Sequence, residues 1–500
     1  MDRPPPRISD YVRLWADATP DAVAFTCEGT STTYRRLAAD VDDHAEGLLA
    51  LGVHPGDRVA LAARPCPDAI TLYLAAASIG AVFQGLNPAH TCAELEHVLA
   101  DSRPVLVLDA VDGRALAAAA AVGVRLARPW SDGALDGRVG RDVLTAARAA
   151  VAPADPVLLV HTSGSTGTPK GALIPTGSLA HAAWVHAGRW ATGDAVTTVC
   201  PFPVSHVASL SDVCGTALAA GARTVFLPDF DPRALVRLLE RERVTLWGFV
   251  PAMAMLATQT PEWPGADLSA LRQAVWGGGA ASGPLLAALE AKGLLVSGCY
   301  GSTETVGNVC FTDADGTAFP AATIGRPDPH YDVRVVDGDG KECAVGVEGE
   351  LLVAAEHAFA GYLGRPDATA EVLVDGWLHT GDVAVRHPDG SLSLVGRVRE
   401  MYKSGGYNVY PREVELALED LPGVELAAVV WVADPLYGEV GHAFAVAPGT
   451  DPEQLREALR QRLAAYKVPK RLELVDAMPL LAVGKIDKAE LGRRAGRGAT

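Results

Sequence analysis

The stretch His161-Thr-Ser-Gly-Ser-Thr-Gly-Thr-Pro-Lys-Gly171 follows the apolar run Pro156-Val-Leu-Leu-Val160 and precedes Ala172-Leu-Ile174. The first run reads as a short buried strand and the last as the start of another. Between them, three glycines and five hydroxyl residues make a polar loop. Its N–H groups and hydroxyls can wrap anionic oxygens, and Lys170 adds a cation. It is not the GxxxxGK[ST] loop of kinases, because Pro169 precedes Lys170 and a strand-like run follows in place of a helix. A plain Ser/Gly surface loop is the competing reading, but such loops rarely interleave Thr, Gly, Pro and Lys in this way. A phosphate-handling loop directly after a strand points to an α/β sheet.

The flanking sequence agrees. Residues 224–227 and 244–250 read as strands, with a helix between them started by Asp231-Pro232, since Asp suits the N-cap and Pro the first helical position. A helix over 283–292 stops at Gly293 and a strand over 294–299 follows. This βαβ rhythm predicts a mostly parallel sheet covered by helices. After about residue 325 the pattern changes to hairpins, turning at Asp337-Gly-Asp-Gly340 and at His387-Pro-Asp-Gly390. The last hundred residues read as a compact α+β unit, with helices at 411–420 and 451–463 and strands at 424–432 and 441–446. The boundary falls near 396–400. An apolar run over 69–86 reads as a buried helix, because Gln84 and Asn87-Pro88 argue against a membrane span. The Ala-rich 113–128 reads as a surface helix.

Composition narrows the function. The chain has 500 residues, enough for two or more domains, and its net charge of −17 offers no general attraction for nucleic acid or anionic membranes. The eight cysteines form no CxxC pair and no zinc spacing, which suits reduced thiols. The opening MDRPPPRISD carries no apolar signal region, so a cytoplasmic location is expected.

Three more blocks carry chemistry. Tyr300-Gly-Ser-Thr-Glu-Thr305 lies at a strand end, where α/β sheets bind ligands. A ring there can stack on a base, Thr303 can bond a phosphate, and Glu304 can hold Mg2+ through oxygen. In Gly376-Trp-Leu-His-Thr-Gly-Asp382, the Asp382 carboxylate suits two vicinal ribose hydroxyls, and Arg397 adds a permanent charge. In Pro479-Leu-Leu-Ala-Val-Gly-Lys485, a lysine near a chain end would ordinarily be solvated. Lys485 stands out because only eight lysines occur in the chain and Gly484 frees the backbone beside it. A turn-capping Asp, a surface Arg and a solvated Glu are the bland readings of these residues taken singly.

In this order, the four blocks resemble the adenylate-forming superfamily of acyl-CoA synthetases, adenylation domains and luciferases. Gly277-Gly278-Gly279, Ile324-Gly-Arg-Pro327, Gly361-Tyr362 and Gly405-Gly-Tyr-Asn-Val-Tyr-Pro411 support it, and the match runs over nearly the whole chain. The resemblance implies an α/β fold with a large N-terminal domain over 1–396, a hinge at 397–400 and a mobile α+β lid over 401–500. It implies ATP bound by Thr162, Ser163, Gly164, Ser165, Thr166, Gly167, Lys170, Gly278, Gly279, Gly301, Ser302 and Thr303, with Tyr300 on adenine and Asp382 and Arg397 at the ribose. Glu304 would carry Mg2+. Lys485 would bridge the carboxylate and α-phosphate, then leave as the lid turns about Arg399. Ser404, Gly405, Gly406 and Tyr407 would face a pantetheine tunnel. His161, Arg399, Glu400 and Lys488 depart from frequent family residues without removing a needed group.

His206, in Pro201-Phe-Pro-Val-Ser-His206, matches the family's pocket-gating histidine. Phe249, Pro251, Gly278, Ala280 and Val306 would line the acyl pocket with it. These are small or apolar, which suits an apolar acyl or aryl acid. Amino-acid-activating relatives place an Asp near this block; none falls in 201–209, though Asp212 is close. The expected reaction is ATP-dependent acyl-AMP formation followed by thioester formation with CoA. Loading the phosphopantetheine of a carrier protein and forming an amide are the alternatives. A non-catalytic nucleotide sensor would be expected to lack Lys170, Glu304 or Lys485, and all three are present. Homodimers are common among such proteins, but no sequence patch argues for one here.

Overall fold

A computed structural model describes residues 3–496 apart from 131–132, 134, 163–168, 192, 194, 280, 282, 313–322, 406 and 482–485. Its described strands gather into sheets of fourteen, seven and five. In the largest, the strands Val23–Cys27, Arg223–Phe226, Thr197–Cys200, Leu246–Phe249, Gln273–Trp276 and Leu295–Ser302 run parallel, each in register with its neighbour. Beyond Leu295–Ser302 the pairing becomes antiparallel, through Gly307–Phe311, Thr323–Pro327, Leu392–Arg397, Trp377–Arg386 and Glu348–Ala354 to Val333–Val336. So the βαβ part and the hairpin part are halves of one continuous sheet. The switch comes where the crossover helices end: Leu295–Ser302 and Gly307–Phe311 are joined by residues 303–306 alone, too short for the crossover that a parallel pair needs.

The seven-stranded sheet carries the loop strand. Pro156–Thr162 pairs antiparallel with Lys170–Pro175, which in turn receives Gly361–Tyr362 as an edge strand. The five-stranded sheet contains Tyr402–Ser404 and the long hairpin Leu426–Asp434/Gly438–Val446. Its two apolar clusters, around Val414, Leu418 and Ala443 on one side and Phe444 and Leu491 on the other, draw only on residues from 402 onward.

Local rules explain the elements. Asp231 accepts a hydrogen bond of 2.6 Å from the Ala234 N–H and caps the helix Pro232–Arg241, as its position before Pro232 predicts. Two expectations are corrected. The apolar run at 69–86 is a helix, Pro67–Ser78, and then a strand, Val82–Leu86. Gly80, at φ +74°, ends the helix in a conformation that favours glycine. The Ala-rich segment is a helix only over Arg114–Ala121, with Ala115, Ala118 and Ala119 buried against Leu95 and Leu99, and it gives way to the strand Leu126–Pro129. Among the described residues, no helix is long and apolar enough to cross a membrane.

Candidate active site

The reversal after Tyr300 is tightly constrained. Ser302 and Thr305 are laced together: the Ser302 N–H donates to Thr305 Oγ1 at 2.7 Å, the Thr305 N–H to Ser302 Oγ at 3.2 Å, and Thr305 Oγ1 lies 3.1 Å from the Ser302 carbonyl. A Cβ on Gly301 would meet the Gly307 carbonyl at 2.0 Å, so only glycine fits there. Val306 sits at φ +64°, a conformation costly for a β-branched residue. It is held by its N–H to the Thr303 carbonyl, 3.1 Å, and by Ser211 Oγ donating to its own carbonyl, 3.0 Å. Thr303, buried, and Glu304, half-buried, therefore stand on a turn fixed at both ends.

Tyr300 and Asp382 come from strands far apart in sequence. The Tyr300 phenol donates to Asp382 Oδ2 at 2.5 Å, and Arg397 Nε donates to Oδ1 at 2.8 Å. Asp382 and Arg397 are also backbone partners across two strands. Burial, reinforced by Asp382, pushes the Tyr300 phenol well above its usual range and keeps it a donor. Asp382 raises the Arg397 guanidinium, whose side chain stays 57% exposed. A buried carboxylate thus holds an aromatic ring and a cation together across strands of one sheet.

Glu304 is tied to the loop strand through Tyr362. The Tyr362 phenol donates to Glu304 Oε1 at 2.8 Å, while Lys170 Nζ lies 5.2 Å from the centre of its ring. Burial and the Glu304 charge both push the Tyr362 phenol upward. Among the described residues, no group of three His, Cys, Asp or Glu could hold a metal by itself. A single half-buried carboxylate fits Mg2+ that keeps waters and takes substrate phosphates as its other ligands. At the head of the loop, His161 contacts Asp101 at 3.3 Å and Gln84 at 3.4 Å; the histidine contact lowers the Asp101 carboxyl, which also pairs with Arg365 at 2.9 Å. Thr162 Oγ1 reaches the Lys170 carbonyl at 3.5 Å.

A cavity of about 120 Å3 adjoins this site. His206, Phe249 and Gly278 line it, and Gly301, Ser302 and Thr303 border it too. The cavity and the Tyr300 turn therefore share a wall. The Ala208 N–H donates to His206 Nδ1 at 3.1 Å, which leaves the proton of a neutral ring on Nε2. Gly278, at φ +73°, makes the bend that brings 277–278 to the cavity edge. Pro251 starts the helix Pro251–Thr258, and Val306 is fully buried in the core; neither is among the lining residues.

In the C-terminal unit, Ser404 is buried and Gly405 turns at φ +58°, its N–H bonded to the Tyr437 carbonyl at 2.9 Å. Tyr407 is 61% exposed and stacks on Tyr466 at 4.6 Å. None of these three lines the cavity. Arg399 Nη2 reaches Glu371 of the N-terminal part at 3.4 Å. A Cβ on Gly279 would meet no described atom within 4 Å, so the chain there borders open space. Ser163, Gly164, Ser165, Thr166, Gly167, Ala280, Gly406 and Lys485 lie outside the described residues.

Sequence reasoning overlooked several participants. Tyr362 was visible only as part of a motif; its link to Glu304 and Lys170 needs the strand pairing Tyr362↔Ala172. Trp190 lines the cavity at the end of the helix Thr176–Trp190. Its neighbours His181 and His186, buried on an otherwise apolar helix, were an available signal. Lys488 Nζ lies between Glu400 at 3.1 Å and Glu415 at 2.8 Å. Burial works against that charge, but Glu415 and Glu400 outweigh it and raise the ammonium.

Comparison with known proteins accords with this geometry. Feruloyl-CoA synthase of an Amycolatopsis species is 39% identical over 96% of this chain and 97% of its own length. The indoleacetate–CoA ligase of Aromatoleum aromaticum is 32% identical over 97% of both. The solved structure of the amide bond synthetase McbA from Marinactinospora thermotolerans superposes with a TM-score of 0.87, at 31% identity, covering 97% of this chain and 99% of that one. Residues 12–363 match the AMP-binding enzyme family and residues 413–485 the AMP-binding enzyme C-terminal domain, and the chain belongs to this family of adenylate-forming enzymes.

Proposed function

We propose that this chain is an AMP-forming acid–thiol ligase, which joins an apolar acyl or aryl carboxylic acid to the AMP part of ATP, releases pyrophosphate, and passes the acyl group to CoA. The observation that carries this reading is the shared wall: the turn bearing Thr303 and Glu304 borders an apolar cavity on one side and follows directly from Tyr300, with its Asp382–Arg397 pair, on the other.

The roles follow from chemistry. Tyr300 would offer its face to adenine, and Asp382 would accept from the ribose hydroxyls, with Arg397 holding the carboxylate in place. Lys170 and the loop it closes would hold the outer phosphates. Thr303 would bond the α-phosphate. Glu304, positioned by Tyr362, would hold Mg2+, which when bound offsets phosphate charge. Carboxylate attack on phosphate sets anion against anion, so fixed donors must offset the repulsion where it grows. Lys485 is assigned that place between carboxylate and α-phosphate. His206 would gate the acid cavity beside Phe249, Gly278 and Ala280. We assign residues 1–396 to the N-terminal domain and 401–500 to a lid, hinged at 397–400 near Arg399. The separate apolar clusters on either side of this segment support that division. Ser404, Gly405, Gly406 and Tyr407 would face the incoming thiol.

An amine or a carrier-protein pantetheine is the second reading of the acceptor. A fatty acid–[acyl-carrier-protein] ligase of Streptomyces coeruleorubidus, 33% identical, and the amide bond synthetase structure favour keeping it. Mass-spectrometric product analysis tests both, using ATP, Mg2+ and a library of aliphatic and aromatic acids, with and without CoA. Acyl-CoA from one acid class supports the ligase; acyl-AMP that accumulates beside untouched CoA moves the acceptor to an amine or a carrier protein. No pyrophosphate from any acid overturns the adenylating reading itself.

A further inference from the structure

Asp101 stands where a carboxylate is disfavoured twice. It lies in the last turn of the helix Cys92–Ser102, where the carbonyl ends of the backbone repel an anion. Its side chain is also largely buried, 13% exposed. Two contacts outweigh both effects. Oδ2 accepts from His161 Nε2 at 3.3 Å, and Oδ1 accepts from Arg365 Nη2 at 2.9 Å. The His161 bond, with Arg365 and His97 behind it, holds the carboxyl below its ordinary value against burial.

The two partners belong to different chain segments, with a third between them. His161 is in the strand Pro156–Thr162 and pairs with Gly171 of Lys170–Pro175. Gln84 Nε2 donates to His161 Nδ1 at 3.4 Å, so a neutral ring carries its proton on Nε2, toward Asp101. A Cβ on Gly171 would stand 3.3 Å from that Nε2, so glycine leaves the imidazole room there. Arg365 belongs to the turn after the edge strand Gly361–Tyr362. Its N–H bonds the Tyr362 carbonyl at 3.1 Å, and the Leu363 N–H bonds the Gly171 carbonyl at 2.8 Å. One carboxylate therefore braces the two segments that flank Lys170–Pro175.

Lys170 and Tyr362 project from the braced strands. Tyr362 pairs with Ala172, its ring lies 5.2 Å from Lys170 Nζ, and its phenol donates to Glu304. The placing of Lys170 against Glu304 thus follows the spacing of strands that Asp101 ties together. A cation meant for a phosphate acts best when its position is fixed before the ligand arrives, because no reorganisation is then needed.

We propose that Asp101 is a positioning residue for the outer phosphates of ATP: by bonding both His161 and Arg365 it fixes the strand Lys170–Pro175 between its neighbours, and so holds Lys170 and Tyr362 in place beside Glu304. This rests on the nucleotide roles assigned above and adds a residue that acts only through others. Asp101 takes no part in the bond-making steps.

The test measures binding of ATP and of AMP, each with Mg2+, to the full chain by titration calorimetry. AMP lacks the outer phosphates, so it reports on the Tyr300–Asp382 end alone. Asp101→Ala is expected to weaken ATP about tenfold, the worth of one hydrogen bond to a charged group, and AMP less than about twofold. Asp101→Asn, which still accepts from one donor, should fall between wild type and Asp101→Ala. Arg365 is 45% exposed, so Arg365→Met keeps the fold even where Asp101→Ala does not, and it should weaken ATP about threefold. Adding His161→Phe to Asp101→Ala should cost little more than Asp101→Ala alone; strictly additive losses overturn the His161 arm. Equal losses for ATP and AMP would mean a general loosening of the fold and overturn the proposal. Pyrophosphate release by wild type with a library of acids reads the ligase assignment separately. If an acid turns over but ATP binding is unmoved in Asp101→Ala and Arg365→Met, the brace falls and the ligase reading stands. If ATP binding falls selectively yet no acid turns over, the brace stands and the ligase reading falls. A wild type that binds neither nucleotide overturns both.

Discussion

The Tyr362 phenol donates a 2.8 Å hydrogen bond to the Glu304 carboxylate while its ring lies 5.2 Å from Lys170 Nζ. One side chain thus positions the residue assigned to Mg2+ and the lysine assigned to phosphate. Tyr362→Phe keeps the ring and loses the bond, so its effect should appear as a raised Mg2+ requirement, about tenfold in the half-saturating concentration. Tyr362→Ala removes both contacts and should raise the ATP KM as well. Pyrophosphate release measured over a matrix of Mg2+ and ATP concentrations separates the two; identical profiles for Phe and Ala would discount the ring's part.

Asp382 is the shared acceptor for Tyr300 and Arg397. Asp382→Ala should raise the ATP KM at least tenfold and leave the KM for the acid nearly unmoved, because the cavity does not include it. The Arg397 side chain is more than half exposed, so loss of that ion pair should by itself cost under about 1 kcal/mol of stability. Asp382→Ala also leaves the buried Tyr300 phenol without its acceptor, a further cost of about 1–3 kcal/mol; an unchanged ATP KM would remove Asp382 from nucleotide recognition.

Lys485 is assigned to the first half-reaction alone. Lys485→Ala should abolish acyl-AMP formation and spare thioester formation from supplied acyl-AMP. A bulky residue at Gly406 should do the opposite, sparing pyrophosphate release and blocking thioester formation. Equal loss of both half-reactions in either variant would contradict the assignment.

Lys488 and Glu415 make a pH prediction. Glu415 is 3% exposed; burial opposes its charge, but Lys488 and Arg412 prevail and hold it below its ordinary value of 4.5. A depressed carboxyl contributes stability above 4.5 that is lost as pH falls through the folded value. Lys488, raised above its ordinary 10.5, contributes below 10.5 and loses that contribution as pH climbs through its folded value. Lys488→Met leaves Glu415 with one cation fewer and should destabilise the C-terminal unit by about 3 kcal/mol. The acid limb of its unfolding curve should also move to higher pH. Thermal unfolding between pH 3 and 8 checks both, and Lys488→Arg should restore most of the loss.

Local sequence was informative wherever one short stretch decides the outcome. Asp231 before Pro232, the glycines around 301 and 307, and the apolar run before His161 each act within a few residues of themselves, and their elements follow directly. The break at Gly80 was missed because both sides of it are apolar and buried, so periodicity carries no contrast there. Tyr362, Trp190 and Lys488 were missed for another reason. Each matters through a partner brought near by strand pairing or domain packing. Lys488 and Glu400 show in the sequence only as departures from frequent family residues, and their contact, with Glu415 beside it, needs the folded chain. The continuous sheet was likewise hidden, because its two halves have different rhythms and join only at Leu295–Ser302 and Gly307–Phe311.

The edge pairing of Gly361–Tyr362 onto Lys170–Pro175 has one more consequence. Residues 355–363 leave the fourteen-stranded sheet and join the seven-stranded one, and the Phe359 N–H bonds the Glu304 carbonyl at 2.9 Å on the way. The proposed nucleotide site therefore straddles a seam between two independently hydrogen-bonded sheets. A nucleotide held at that seam favours only states in which both halves are folded and aligned. ATP should then act as a rivet: melting that is broad or biphasic in the free protein sharpens into one cooperative transition when the site is filled.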